Sequence, residues 1–237
     1  AALAGALDIN KAGSDVGRLA REGDFDWEKL DTVIQELLVD GRGRVIGDAA
    51  QRVLLPWLVS VREAYTRVVL DVPLDSVGRS DALPILVEKF FVPAAANLLK
   101  QIHAAMPGPN LQLLLAKELD PVQVALEWLD SLVGGPVEKL LYPGSTGSAR
   151  TEQEKVRKWR NGIDLPSSQS IRLFCRKLDE CWKKTPSCAT WLLISSALSR
   201  LERQWAGSLR PLMLSHPDHS SPAGNSIHAI LSELVRS

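Results

Sequence analysis

The side chains of this chain that could bind a metal or act as nucleophiles are three cysteines and four histidines. Cys175, Cys181 and Cys188 lie six and seven positions apart, whereas structural zinc sites favour cysteine pairs separated by about two to four residues. On helices this spacing places Cys175 and Cys181 on different faces, so we expect buried free thiols and no metal site. The histidines are His103, His216, His219 and His228. No motif links them to an activated serine or cysteine, and the sequence proposes no catalytic residue.

Other motifs that would indicate enzymatic chemistry are missing from the sequence. It has no glycine-rich phosphate-binding loop, no His-Glu-x-x-His zinc motif and no calcium-binding loop. We therefore expect a non-enzymatic protein without a cofactor. The odd number of cysteines matches no disulfide framework and favours a reducing, cytoplasmic location.

A basic segment is the clearest candidate for a binding function. Residues 150–160 contain five basic side chains and one glutamine that could face an anionic partner: Arg150, Gln153, Lys155, Arg157, Lys158 and Arg160. Lysine and arginine neutralise phosphates, and glutamine can pair with the edge of adenine. These residue types favour a nucleic-acid partner; if that partner is duplex DNA, Gln153 would read a base and the basic residues would bind the backbone.

Local signals predict the helices that position this segment. Thr151 and Glu154 have the spacing of a capping box, which would begin a helix at about residue 152. Asn161-Gly162 is typical of a helix end, and Pro166-Ser167 can begin the next helix. The sequence thus predicts helices at about 152–161 and 168–183, joined by a turn over 161–165.

This arrangement resembles the C-terminal half of the Cro/C1-type helix-turn-helix found in phage repressors and bacterial regulators. The resemblance covers about residues 150–178, and its matching positions follow one another without a gap. They are Val156, Trp159, Asn161, Gly162, Leu165, Pro166, Ile171 and Phe174. It implies a recognition helix that enters the major groove, and a transcription regulator or DNA-associated factor of bacterial or phage type.

The sequence also departs from that family. The helix expected before the recognition helix would occupy about 145–150, where Ser-Thr-Gly-Ser-Ala-Arg cannot form an apolar face. Either the segment Val137–Tyr142 replaces it, or the motif is incomplete. Glu152 and Glu154 would also stand beside phosphates. A second function therefore stays open: a helical protein-interaction adaptor, binding a protein partner or a second copy of itself, in which this segment is scaffold.

The remainder of the chain predicts an all-α protein with the architecture of an irregular multi-helix bundle. Apolar residues recur at helical spacing, and alternating strand patterns bounded by hairpin turns are absent. Further helices are expected at 27–39, 49–70, 82–105, 111–119, 121–133, 137–142, 187–206 and 226–236. The N-terminus lacks a secretory-signal pattern, and the longest apolar stretch is too short for the ~20 residues of a membrane span.

Charge is distributed unevenly along the chain. Residues 1–148 hold 14 Lys+Arg against 20 Asp+Glu, a net charge of −6, and residues 149–237 hold 14 against 8, a net charge of +6. The change of sign falls near the turn-forming stretch that follows Tyr142. We expect an acidic helical domain over 1–143 and a basic helical part over 144–237, or one continuous domain whose two parts attract each other.

Overall fold

The protein is all-α throughout the part that the structure describes. The computed structural model describes residues 47–71, 90–116, 118–144, 147–182, 187–204 and 227–236. Of these residues 81% are helical and none is in a strand, which confirms the predicted fold class. The helices are α1 (Gly47–Asp71), α2 (Val92–Ala105), α3 (Leu111–Leu114), α4 (Pro121–Val133), α5 (Val137–Leu141), α6 (Gly147–Arg160), α7 (Ser168–Cys181), α8 (Cys188–Gln204) and α9 (Ile227–Arg236). The predicted helix at 27–39 lies outside the described residues.

Helices α4 and α8 pack against each other at the centre of the fold. The first apolar cluster joins α2, α3, α4, α8 and α9, and Trp191 and Leu198 are the contributions of α8. The second cluster joins α4, α5, α6, α7 and α8, with Leu192 and Leu193 from α8. Each cluster therefore contains residues from both sides of the predicted boundary at 143/144.

Capping signals correctly predicted the ends of α4. Asp120 accepts a hydrogen bond from the backbone N–H of Val122 at 2.8 Å, and Pro121 occupies the first turn, where its missing N–H is tolerated. Gly134 ends the helix with φ = 83°. The helix predicted over 111–119 is shorter, because Ala116 and Leu119 bond to carbonyls three residues back, which is a tighter turn than an α-helix.

Two prolines lie inside helices without ending them. Pro56 lies inside α1, which continues through it. Pro93 is the second residue of α2, and Phe90 and Phe91 just before that helix are in a π-helical turn. Residues 72–89 lie outside the described part.

A close contact fixes the turn between α2 and α3 against α8. The indole N–H of Trp191 donates to the carbonyl of Pro107 at 2.8 Å. A β-carbon added at Gly108 would lie 2.1 Å from the ring of Trp191. Only glycine therefore fits beside this fully buried tryptophan.

Candidate nucleic-acid interface

Helix α6 carries all six of the predicted DNA-binding residues, and it begins earlier than expected. It starts at Gly147, where φ is +62°, and the predicted start near residue 152 is wrong. Thr151 is in the second turn, where its hydroxyl donates to the carbonyl of Gly147 at 3.4 Å. Thr151 and Glu154 therefore form no capping box. The hydroxyl instead bonds to the backbone one turn earlier, as threonine often does inside helices.

The turn between α6 and α7 has the predicted position and backbone conformation. Gly162 has φ = +65°, and its N–H bonds to the carbonyl of Trp159 at 3.1 Å, while that of Ile163 bonds to the carbonyl of Lys158 at 2.9 Å. This pair of bonds is the Schellman motif, which ends a helix at a left-handed residue. Ser167 then caps α7 by accepting from the N–H of Ser170 at 3.2 Å.

The inner face of α6 meets α7 at an aromatic seam. Trp159 is 3% exposed, Phe174 2% and Ile171 0%, and all three belong to the second apolar cluster. The rings of Trp159 and Phe174 meet edge to face with centroids 5.9 Å apart.

Arg160 occupies a half-buried ionic site and not an exposed surface. Its guanidinium lies 2.9 Å from Asp130 of α4 and 2.6 Å from Glu138 of α5. Burial disfavours its charge, but the hydrogen bonds to Asp130 and Glu138 outweigh burial and raise the pKa of Arg160. The predicted phosphate contact would require both bonds to break and would leave Glu138, which is 5% exposed, without its cation. Arg160 therefore links three helices inside the fold.

Gln153 is also engaged within the fold. Its side-chain amide donates to the carbonyl of Tyr142 and, at 3.2 Å, to the carbonyl of Gly144. These bonds hold the turn after α5 against α6. The amide N–H group that would pair with adenine is thus directed at the backbone, in contrast to the base-reading role expected for Gln153.

Arg150, Arg157 and Lys158 lie on the outer face of α6. Arg150 is exposed and stands seven residues before Arg157, which places the two side chains nearly above each other. The side chains of Arg157 and Lys158 are 42% and 53% exposed. Arg157 lies 3.2 Å from Glu154, and Lys158 lies 4.0 Å from Asp164. Exposed pairs of this kind contribute about 0–1 kcal/mol, so both cations can exchange a carboxylate for another anion.

Lys155 belongs to neither of these groups. It lies on the flank of α6 toward α7, where its ammonium is 3.9 Å from Glu152 and 5.7 Å from the centre of the Trp159 ring. The six predicted residues are therefore distributed around the helix. Three share the outer face, two bond inside the fold and one lines the gap toward α7.

The element before α6 differs from the expected pattern. Residues 147–150 form the first turn of α6 itself, and the preceding helix is the five-residue α5. Val137 and Leu141 of α5 are buried in the cluster that also contains Val156 and Trp159. The Arg160 site could not be predicted from the sequence, because its carboxylates come from positions 22 and 30 residues earlier and belong to other helices.

The three cysteines differ in their burial. Cys175 and Cys188 are buried with their sulfur atoms 3.0 Å apart, whereas Cys181 is exposed, contrary to the expectation that all three are buried. The hydrogen bond to Cys175, followed by burial, raises the pKa of the Cys188 thiol well above its ordinary value. Within the described ranges no group of three His, Cys, Asp or Glu side chains is arranged to hold a metal ion.

Comparisons with known proteins give no family assignment. No protein-family model, curated protein or solved structure matches the chain. Among the helices that the structure describes, none has the length and apolar character needed to cross a membrane.

Proposed function

We propose that this protein is a non-enzymatic DNA-associated factor that binds duplex DNA through the outer face of α6. The observation that carries the proposal is the alignment of Arg150, Arg157 and Lys158 on one exposed side of a helix whose opposite side is fixed in the core. Basic side chains held on a rigid helix can contact successive phosphates, and such contacts supply most of the affinity for DNA.

The net charge of residues 147–182 supports binding of DNA by this segment. Residues 147–182 contain eight Lys or Arg and five Asp or Glu, a net charge of +3. Glu154 and Asp164 neutralise two of the outer cations in the free protein. Because these pairs are exposed, a phosphate can displace the carboxylates at a cost of about 1 kcal/mol or less for each pair.

The proposal retains the resemblance to the Cro/C1-type motif but changes the role of its residues. Gln153 and Arg160 are left out, because their polar groups bond within the fold. With Arg150, Arg157 and Lys158 assigned to phosphates and Gln153 no longer assigned to a base, binding should depend weakly on DNA sequence. The helix α6 would then position the protein on the duplex without selecting a site.

The test is to measure affinity for mixed-sequence duplex DNA at several salt concentrations. Three phosphate contacts predict a slope of about −2.7 for the logarithm of the binding constant against that of salt. Replacing Arg157 and Lys158 together with alanine should reduce the magnitude of the slope by about 1.8. The matched control removes two exposed basic residues from α1, Arg52 and Arg67, and should leave the slope unchanged.

The adaptor alternative makes a different prediction for the same titration. Absence of salt-dependent binding by the wild-type chain at tens of micromolar protein, within the ordinary non-specific range of roughly 10⁻⁴–10⁻⁶ M, would reject DNA binding. An equal loss of slope in the α1 control would show that overall charge, and not the outer face of α6, carries the affinity.

A further inference from the structure

A cleft with a volume of about 250 Å³ separates the flank of α6 from α7. Its apolar wall is formed by Leu173 of α7 together with Tyr142, Trp159 and Phe174. Leu173 is 48% exposed, whereas the three aromatic residues are 8%, 3% and 2% exposed. The apolar surface that the cleft presents to the outside is therefore mainly that of Leu173.

Basic side chains surround this apolar wall. The ammonium of Lys177 lies 3.9 Å from the centre of the Tyr142 ring, and Lys155 lies over Trp159 on the opposite side. Among the described residues, neither Arg176 nor Lys177 forms an ion pair with a carboxylate. Cation–π contacts leave the ammonium able to accept an additional anionic partner.

The acidic side chains that line the cleft are fewer than its basic side chains. Glu152 and Glu180 line it beside the three basic residues, and Glu152 lies 3.9 Å from Lys155. Burial, followed by the charge of Glu152, raises the pKa of Tyr142, so its phenol stays neutral at physiological pH. Arg172, one residue before Leu173, adds another exposed cation to this side of α7.

We propose that this cleft, the α6–α7 cleft, binds an acidic peptide segment of a partner protein through one bulky apolar anchor residue. The anchor packs against Leu173, and carboxylates on either side of it pair with Arg176 and Lys177. Pockets for drug-sized ligands measure about 300–1,000 Å³, so the smaller cleft fits a single side chain better. Nucleic-acid bases are a poorer fit, since Trp159 is 3% exposed and offers no ring face for stacking.

The experiment uses the full chain and a short fluorescein-labelled peptide in which one phenylalanine is flanked by aspartates and glutamates. A second peptide carries alanine in place of the phenylalanine. The first should bind at least about tenfold more tightly, because the phenylalanine ring removes apolar surface from water that alanine lacks. Equal affinity of the two peptides would overturn the proposal by showing that charge alone attracts them.

Variants locate the binding site. Leu173→Glu should weaken binding of the phenylalanine peptide by more than about tenfold, since it places a carboxylate where the anchor and the acidic flanks meet. The matched control is Ile163→Glu, which changes another exposed apolar residue, 64% exposed and outside the cleft lining. It should leave binding unchanged. Equal losses in the two variants would overturn the assignment to the cleft.

A competition experiment keeps this proposal separate from DNA binding. Removal of Arg157 and Lys158 should leave affinity for the peptide unchanged, because neither lines the cleft. Displacement of the peptide by duplex DNA from that double variant would show that the cleft itself binds phosphates, and would overturn the proposal. Peptide binding can therefore succeed or fail independently of the outer face of α6.

Discussion

On the inner side of α6, Gln153 and Arg160 bond to the turn after α5 and to carboxylates of α4 and α5, whereas on the outer side Arg150, Arg157 and Lys158 face away from the core. All five stand within eleven residues of one helix and have polar or basic side chains. Their different roles depend on what the rest of the fold places beside them. Residue type alone does not distinguish a structural arginine from one that is available to a ligand.

The largest effect is expected at the aromatic seam on the inner side. Trp159→Ala should reduce the free energy of unfolding by about 3–5 kcal/mol, because it removes a buried indole and leaves a cavity against Phe174. Leu173→Ala on the exposed side of α7 should cost well under 1 kcal/mol. Chemical denaturation of both variants measures the two losses of unfolding free energy. Equal losses would contradict the placement of Trp159 in the core and of Leu173 on the surface.

The next largest effect is expected at Arg160. Arg160→Met should cost about 3 kcal/mol, because it leaves the buried carboxylate of Glu138 without its cation. Adding Glu138→Gln should restore part of this loss, since the remaining group is neutral. A loss below about 0.5 kcal/mol for Arg160→Met would place Arg160 among the exposed cations instead.

Replacing Gln153 should have a smaller effect on stability, and it distinguishes a structural role from a base-reading role. Gln153→Ala should cost about 1 kcal/mol through loss of the bonds to the carbonyls of Tyr142 and Gly144. It should not change preference among DNA sequences. Unchanged stability combined with altered preference, measured on a panel of duplexes, would restore Gln153 to the base-reading role expected from its residue type.

These cases also separate what the sequence could predict from what it could not. The seam of Trp159, Ile171 and Phe174 and the end of α6 at Gly162 follow from helical spacing and from backbone preference, which are local properties. The partners of Arg160 lie on α4 and α5, and only the tertiary fold brings them together. The start of α6 was misplaced because the spacing of Thr151 and Glu154 suits a capping box, whereas both residues lie inside the helix that begins at Gly147.

The smallest change in stability is expected on the outer side. Replacing Arg157 and Lys158 with alanine should alter the free energy of unfolding by less than about 0.5 kcal/mol, since their carboxylate partners are exposed. Thermal unfolding measures this directly. A loss above about 2 kcal/mol would show that these cations support the fold and are not free for a ligand.

We propose that α6 holds the fold with one side and binds DNA with the other, and one pair of variants separates the two roles. Stability and the salt dependence of affinity for duplex DNA are measured for Arg157→Ala with Lys158→Ala, and for Arg160→Met. The first variant should retain its stability and lose about two-thirds of the salt slope, whereas the second should lose about 3 kcal/mol of stability and, under conditions where it remains folded, keep the slope. The reverse pattern, or an equal loss of slope in both variants, would show that the two sides of α6 do not divide these roles.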